Sequence, residues 1–410
     1  MKCKLMAVLG SVLLSGAAQA GGFQVNLQGQ KQIGMGHTGT GLALDEASVF
    51  FNPGAMSHLR ENGFQVGVSG IISKIAYLEK APGNTTAESD NPLGTPFAGY
   101  GVYGKDGSSL KFGLGVYTPF GSSVRWGDKW IGRFGLDELT LQAIFIQPTV
   151  SYKIGEKIGI GAGLVYSTGK VNLKRNLSLQ NQQGEESKAE FDGKADGWGF
   201  NAGVFFKPSD KFFVGVTYRS KVEMEVDGGD ATFTVPASLA SQVPNTQFDA
   251  TLPLPSNITL GIGFMPTDKL TLAADVQRVN WSAYEKLRFD FKKAVNGATF
   301  TESARNYEDV YIYRLGAQYQ VSEAFALRVG GYYDNTPVQA GYLTPETPDA
   351  NAIGISGGLG YKFSEKFQVD ASFLYITKEE RFDEADKSGG IAGTYKTNVY
   401  IPGLALSYKF

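Results

Sequence analysis

At the carboxyl end of the chain, Leu404, Leu406, Tyr408 and Phe410 alternate with Ala405, Ser407 and Lys409. A side-chain period of two marks a strand with one apolar face. Residues 310–320 obey the same rule: Tyr311, Tyr313, Leu315, Ala317 and Tyr319 share one face, while Arg314, Gly316, Gln318 and Gln320 share the other. The pattern recurs from Gly63 onward, and the way its strands are joined constrains the fold most. Short turns at 105–108, 155–157, 208–211, 266–269, 321–323 and 363–366 take turns with long polar stretches near 80–96, 122–138, 176–190, 225–250, 290–307, 336–352 and 382–394. Six short turns and seven long loops separate fourteen strands. A soluble sandwich or propeller gives no reason for every second connection to be long. A transmembrane barrel does, with short turns on one side of the membrane and long loops on the other. Lipid also forces closure, because an unpaired backbone group in hydrocarbon costs several kcal/mol. The expected fold is therefore an all-β transmembrane barrel of fourteen antiparallel strands over residues 63–410, apolar outside and polar within.

The amino end is consistent with that destination. Lys2 and Lys4 precede an apolar run, Leu5 to Gly16, that closes on Ala18-Gln19-Ala20. This is the pattern of a secretory signal peptide over residues 1–20, too short to span a membrane, with cleavage expected before Gly21. Cleavage removes Cys3, the only cysteine, and with it any disulfide, thiolate nucleophile or cysteine-ligated metal. It also leaves 36 basic against 40 acidic side chains, which makes no case for nucleic acid as a partner. The 53 glycines, 27 phenylalanines and 20 tyrosines suit strands in lipid better than soluble domains.

Residues 34–39, GMGHTG, match the G-x-G-x-x-G spacing of a dinucleotide loop. Such a loop must follow a buried apolar strand and open a helix. Here the preceding residues, Asn26 to Gln32, are too polar, and no alternation of strands and helices follows. The alternative is that Gly21 to Asn62 form a compact irregular plug folded into the barrel, where non-strand backbone is tolerated because it meets no lipid. Asp45 can cap a short helical run over 46–51, and Pro53 stops it while pushing Asn52 toward an extended conformation.

With those residues in place, the chain resembles the long-chain fatty acid transporter family of Gram-negative outer membranes, which also includes aromatic-hydrocarbon channels. The stretches that carry the resemblance are GLALDEASVFFNPGAM (41–56), VYTPFGSSVRW (116–126), IQPTVSYKIGEKIGIGAGL (146–164) and VNWSAYEKL (279–287), and together they cover nearly the whole mature chain. The resemblance implies a hatch whose Asn-Pro-Ala motif falls on Asn52, Pro53 and Gly54, with Ala55 one place late, so the motif match is partial. It also implies substrate capture at the outer loops, movement of the hatch and sideways release into the membrane. The partners implied are a long-chain fatty acid or another hydrophobic molecule, together with outer-membrane lipid and lipopolysaccharide around a monomer.

Three groups of candidate site residues follow. Pro119, Phe120 and Gly121 interrupt an alternating strand; proline cannot donate to the ladder and glycine marks bends, so pairing should fail there. From the residues alone this is a lateral gate or a bend at the outer rim; the family's kinked third strand implies the gate. Trp126, Trp130, Ile131 and Phe134, with Leu239 and Val243 in a later loop, are apolar side chains on connections that should be solvated. They suit ligand capture or packing of loop on loop. The run 236–243 could make two helical turns with one apolar face. Arg314 and Arg328 point inward by parity, as does Arg175 near the top of its strand, and any of them could meet a carboxylate. Their ordinary role in a barrel is to pair with lumen or plug carboxylates such as Asp275 or Glu46. Catalysis and metal binding find little support, since His37 and His58 are the only histidines and no strand carries one. No cofactor is implied. The readings that compete with a hydrophobic channel are a structural or adhesive plugged barrel and an envelope lipid enzyme.

Overall fold

The computed structural model describes residues 22–180, 184 and 186–410. The signal peptide expected at 1–20 lies outside them. Fourteen antiparallel strands close into one barrel. The strands are β1 (Gly63–Ser69 continued by Ile72–Glu79), β2 (Thr86–Glu88 and Phe97–Tyr103), β3 (Leu110–Arg125), β4 (Glu138–Ile154) and β5 (Ile158–Gln180). Next come β6 (Glu186–Phe206), β7 (Phe212–Arg219 and Val222–Thr234), β8 (Thr246–Leu254 and Asn257–Thr267), β9 (Leu270–Val279 and Lys286–Val295) and β10 (Ala298–Ala304 and Val310–Gln320). The circuit ends with β11 (Phe325–Asp334), β12 (Ala352–Lys362), β13 (Phe367–Lys378 and Arg381–Asp383) and β14 (Gly393–Lys409). Each strand pairs with its neighbour in the chain, and β14 returns to β1 in register from Gly63↔Lys409 to Ser69↔Gly403. The seam between last strand and first is closed.

The polarity is inverted as lipid demands. On β10, Leu315 is 68% exposed and Tyr313 47%, while Arg314 between them is 4% exposed. The outward face is the apolar one because its solvent is hydrocarbon. On β14, Leu404, Leu406, Tyr408 and Phe410 likewise face out, and Ala405 and Ser407 face the bore.

The short turns fall where the spacing places them, but several long polar stretches are not loops. Between β5 and β6 the strands run to Gln180 and resume at Glu186, so most of 176–190 is hairpin. Strand continues to Thr234 and restarts at Thr246 inside 225–250. Most of 290–307 is a tight hairpin turning on Asn296 (φ 50°) and Gly297 (φ 78°). An Asn-Gly pair with both residues at positive φ is the preferred two-residue hairpin turn. These extensions read as loops because strand beyond the lipid is solvated on its outer face and loses the apolar alternation.

Residues 22–62 are mostly buried against inward-facing residues of the strands. Two short helices, α1 (Gln30–Gly34) and α2 (Ser48–Phe51), and a 3-10 turn (Ala55–His58) are joined by irregular chain. The Asp45 carboxylate accepts the Ala47 N–H ahead of α2, and Asn52 is extended (φ −158°, ψ 102°) before Pro53. The segment reaches the wall on many sides. Gln30 donates to Ser69 of β1 (2.9 Å), and the Ser57 amide donates to Ser151 of β4 (3.1 Å). Asn52 donates to the Val204 carbonyl of β6 (3.1 Å), Arg219 of β7 donates to the Phe50 carbonyl (3.1 Å), and Gly39 and Thr40 donate to Asp275 of β9 (3.0 and 3.1 Å). Glu46 pairs with Lys409 of β14.

The glycines of GMGHTG let this backbone lie directly on the wall. A Cβ on Gly36, at φ 67°, would stand 2.5 Å from the Leu315 carbonyl oxygen and 2.6 Å from the Gly331 nitrogen. A Cβ on Gly41 would stand 2.7 Å from the backbone of Gly261 and Ile262. The wall also carries glycines where the segment touches it. The motif serves close approach of backbone to backbone, not of backbone to phosphate.

Candidate functional site

Strand β3 pairs with β2 only as far as Ala98↔Tyr117. Its pairing with β4 slips between Tyr117 and Phe120. Contact on the β2 side resumes at Arg125, whose carbonyl accepts from Asp90 (2.8 Å) and whose amide donates to the Asn91 side chain (2.9 Å). Between those points the wall has an opening, as proline and glycine in a ladder require. It borders a cavity of about 510 Å³ lined by Ile71, Pro92 to Pro96 and Gly121 to Val124.

The opening is sealed from within. Val25 donates its N–H to the Pro119 carbonyl (2.8 Å), and Gly121 donates to the Phe23 carbonyl (3.1 Å). Gln24 sits opposite Phe120 in an antiparallel bridge. The first described residues of the hatch thus stand where a neighbouring strand would. Phe23 fixes this seal through its side chain, packed edge-on against Trp281 (4.9 Å), Tyr284 (5.8 Å) and Phe120 (6.1 Å). Such pairings contribute about 0.5–1.5 kcal/mol each beyond burial.

Phe23 and Phe120 also line an apolar chamber of about 80 Å³, walled by Leu141, Leu173, Met224 and Phe289 among others. Its charged borders are Arg305 with Glu346 on one side and Lys170 on another. Above it, toward the outer loops, a polar vestibule of about 100 Å³ is lined by Phe134, Arg175, Arg305 and Glu346. The chamber shares Ser122, Leu141, Gln142 and Lys170 with the cavity at the wall opening. The chamber shares Arg305 and Glu346 with the vestibule.

Arg305 is 3% exposed in its side chain and pairs with Glu346 at 3.2 Å. Burial works against its charge, but Tyr284, Glu346 and Tyr307 outweigh burial and push its pKa up, so the guanidinium stays protonated. The remaining predicted arginines are placed differently. Arg175 faces the vestibule, 6.0 Å above the Phe191 ring, with its Nε lacking a hydrogen-bond partner. Arg314 is held by Gln277 (2.8 Å) and Asn26 (3.2 Å), beside a separate polar cavity of about 40 Å³. Arg328 pairs with Asp370 at 2.7 Å and Gln318 at 2.6 Å and borders a separate cavity of about 370 Å³, not the apolar chamber. Near the 40 Å³ cavity, burial first and the Arg314 charge second push the His37 imidazole well below its usual pKa.

The predicted capture residues divide. Trp126 and Trp130 stack on each other at 4.5 Å, donate to the Pro345 (3.2 Å) and Leu136 (2.5 Å) carbonyls and abut Tyr77. They pack loop on loop and line neither vestibule nor chamber, with Ile131 packed against the same cluster. Phe134 does line the vestibule, under the Arg133 guanidinium. Leu239 ends a single 3-10 turn, Ala237–Leu239, instead of a two-turn helix; Val243 is buried beyond it, and neither borders the conduit. Asn52, Pro53, Gly54 and Ala55 are all buried, with the Asn52 side chain bridging the Gly54 N–H (2.9 Å) and the Thr40 carbonyl (2.9 Å). This motif ties the segment's backbone to itself and, through Asn52, to the Val204 carbonyl of β6. Phe23, Lys170, Arg305 and Glu346 were not singled out by the sequence, because each lies in a stretch whose neighbours across the conduit are far away in the chain.

Comparison with known proteins gives this geometry a context. The sequence profile of the family described as outer membrane protein transport protein (OMPP1/FadL/TodX) matches residues 11–410. A long-chain fatty acid transport protein of Salmonella typhi is 22% identical, with 89% of each chain covered. The fold is shared with a Pseudomonas aeruginosa FadL homologue, at a TM-score of 0.82, 21% identity and coverage of 95% of this chain and 100% of the other. It is shared also with the Ralstonia pickettii toluene transporter TbuX, at a TM-score of 0.70 and 18% identity over 93% and 98% of the two chains.

Proposed function

The chain belongs to the outer membrane protein transport protein family, a family of transporters of hydrophobic compounds and not of enzymes, and from that premise we propose that it takes up long-chain fatty acids passively. A dozen buried methylenes favour hydrocarbon over water by about 10 kcal/mol, at about 0.8 kcal/mol each. A water-filled pore is therefore a poor route, and an apolar path with a lateral exit is a good one. Substrate enters at the polar vestibule, lodges in the apolar chamber, and leaves sideways between β2 and β3 once Phe23 to Val25 vacate Pro119 to Gly121. The protein works as a monomer bathed in outer-membrane lipid and lipopolysaccharide, and the concentration gradient supplies the drive.

The observation that carries this reading is the seal: the opening in the wall is closed only by a segment whose own side chain, Phe23, borders the chamber. Ligand can move such an element only by its differential affinity for the two states. Competition for the space beside Phe23 supplies that difference.

A disulfide tests it. Gln24 and Phe120 face each other across a bridge, within reach of an S–S link. Gln24→Cys with Phe120→Cys should lose uptake of labelled fatty acid when oxidised and regain it on reduction. Uptake unchanged by oxidation would refute the lateral exit. The aromatic socket around Phe23 favours a second reading, uptake of aromatic hydrocarbons, and the same locked protein tested with toluene separates the two by which compound it stops carrying.

A further inference from the structure

Glu346 is the one residue that lines the vestibule, the apolar chamber and the cavity at the wall opening alike. It hangs from the inward-folded connection between β11 and β12, whose backbone is fixed on both sides. Trp126 donates to the Pro345 carbonyl (3.2 Å). Asp349 is held by Lys378 (2.6 Å) and receives the Gly22 amide (3.1 Å). One Glu346 oxygen accepts from Arg305 at 3.2 Å, and the other is buried with no hydrogen-bond partner.

Three cations line the same cavities as this carboxylate, in the order of the conduit. Arg175 borders the vestibule, Arg305 the junction of vestibule and chamber, and Lys170 the junction of chamber and opening. Arg175 has an unsatisfied Nε, and among the described residues Lys170 has no ion-pair partner. Three positive groups and one carboxylate with an unpartnered oxygen form a track along which one carboxylate can be exchanged for another. Moving a charged headgroup through an apolar space requires a partner at each step.

From this the geometry points to Glu346 as the residue that sets substrate class: its carboxylate stands in for the headgroup of a fatty acid, which must replace it at Arg305 before passing to Lys170. The inference rests on the uptake reading and adds that amphiphilic carboxylates are sorted from neutral hydrocarbons at this one side chain. A neutral ligand has no reason to dislodge Glu346. A carboxylate does, and the displaced Glu346 has Arg175 and Lys170 within the same cavities to receive it.

Binding of palmitate and of the alcohol of equal chain length to the full-length protein in lipid nanodiscs decides the matter. Glu346→Gln keeps the shape and one acceptor but removes the competing charge, so palmitate should bind about tenfold more tightly and the alcohol with unchanged affinity. Lys170→Gln, at an exposed position that leaves folding intact, should weaken palmitate about tenfold and spare the alcohol. Glu346→Asp should stay near wild type. Equal effects on both ligands, or no effect of either glutamine variant, would overturn the assignment while leaving uptake standing. Failure of the wild-type protein to bind either ligand would take down the uptake reading, and this assignment with it.

Discussion

Among individual residues, buried charges separate those that hold the structure from those that handle substrate. Arg328 and Asp370 are both buried and paired at 2.7 Å, with Lys31 of the hatch 3.9 Å from the same carboxylate. Removing one partner strands the other, at a typical cost of about 3–5 kcal/mol. Arg328→Met should therefore lower the melting temperature seen by heat-modified gel migration, yet leave fatty-acid affinity unchanged in whatever fraction folds. His37 behaves differently. Its pKa in the folded state lies below the unfolded value of about 6.5, so the unfolded chain takes up the proton first. Its contribution to stability is then complete above about pH 6.5 and declines as acidity carries the pH down toward the depressed folded value, with a slope of at most about 1.4 kcal/mol per pH unit. His37→Asn tolerates the left-handed backbone (φ 61°) and should flatten that acid limb in thermal melts read across pH.

Among elements, the hatch and the third strand show what a sequence can and cannot disclose. Gly36 has no room for a side chain, and its φ of 67° disfavours one. Gly36→Val should loosen the hatch and raise the ion conductance of the bore in planar bilayers, with the barrel itself still resistant to denaturation by detergent at room temperature. The faces of β10 and β14 were legible because lipid on one side and the bore on the other repeat every second residue. The break at Pro119 and Gly121 was legible because those residues cannot complete a ladder. Its seal was not: Phe23 to Val25 look like any short apolar stretch, and their partners lie nearly a hundred residues away. A separation of 41 residues hid Arg305 and Glu346, which meet only because a loop folds inward. Trp126 and Trp130 left capture and loop packing both open for a related reason, since exposed aromatics and aromatics stacked under another loop are identical in sequence.

Across the whole molecule, the balance is between a wall tuned to lipid and an interior in which buried polar and apolar side chains are interleaved. Leu315, the most exposed of the lipid-facing side chains on β10, sits amid that wall. Leu315→Arg should cost about 2–4 kcal/mol near the midplane and reduce the yield of folded barrel in lipid vesicles. The hatch binds strands from β1 to β14, and the closing register joins Gly63 to Lys409 while the Phe410 amide donates to the Asn62 carbonyl (3.1 Å). Its binding cradle is complete only when the last strand has met the first. A polypeptide made from its amino end must therefore keep that end waiting, unsettled, until everything synthesised after it is in place, and any sequence change that slows the final seam delays the stopper as well.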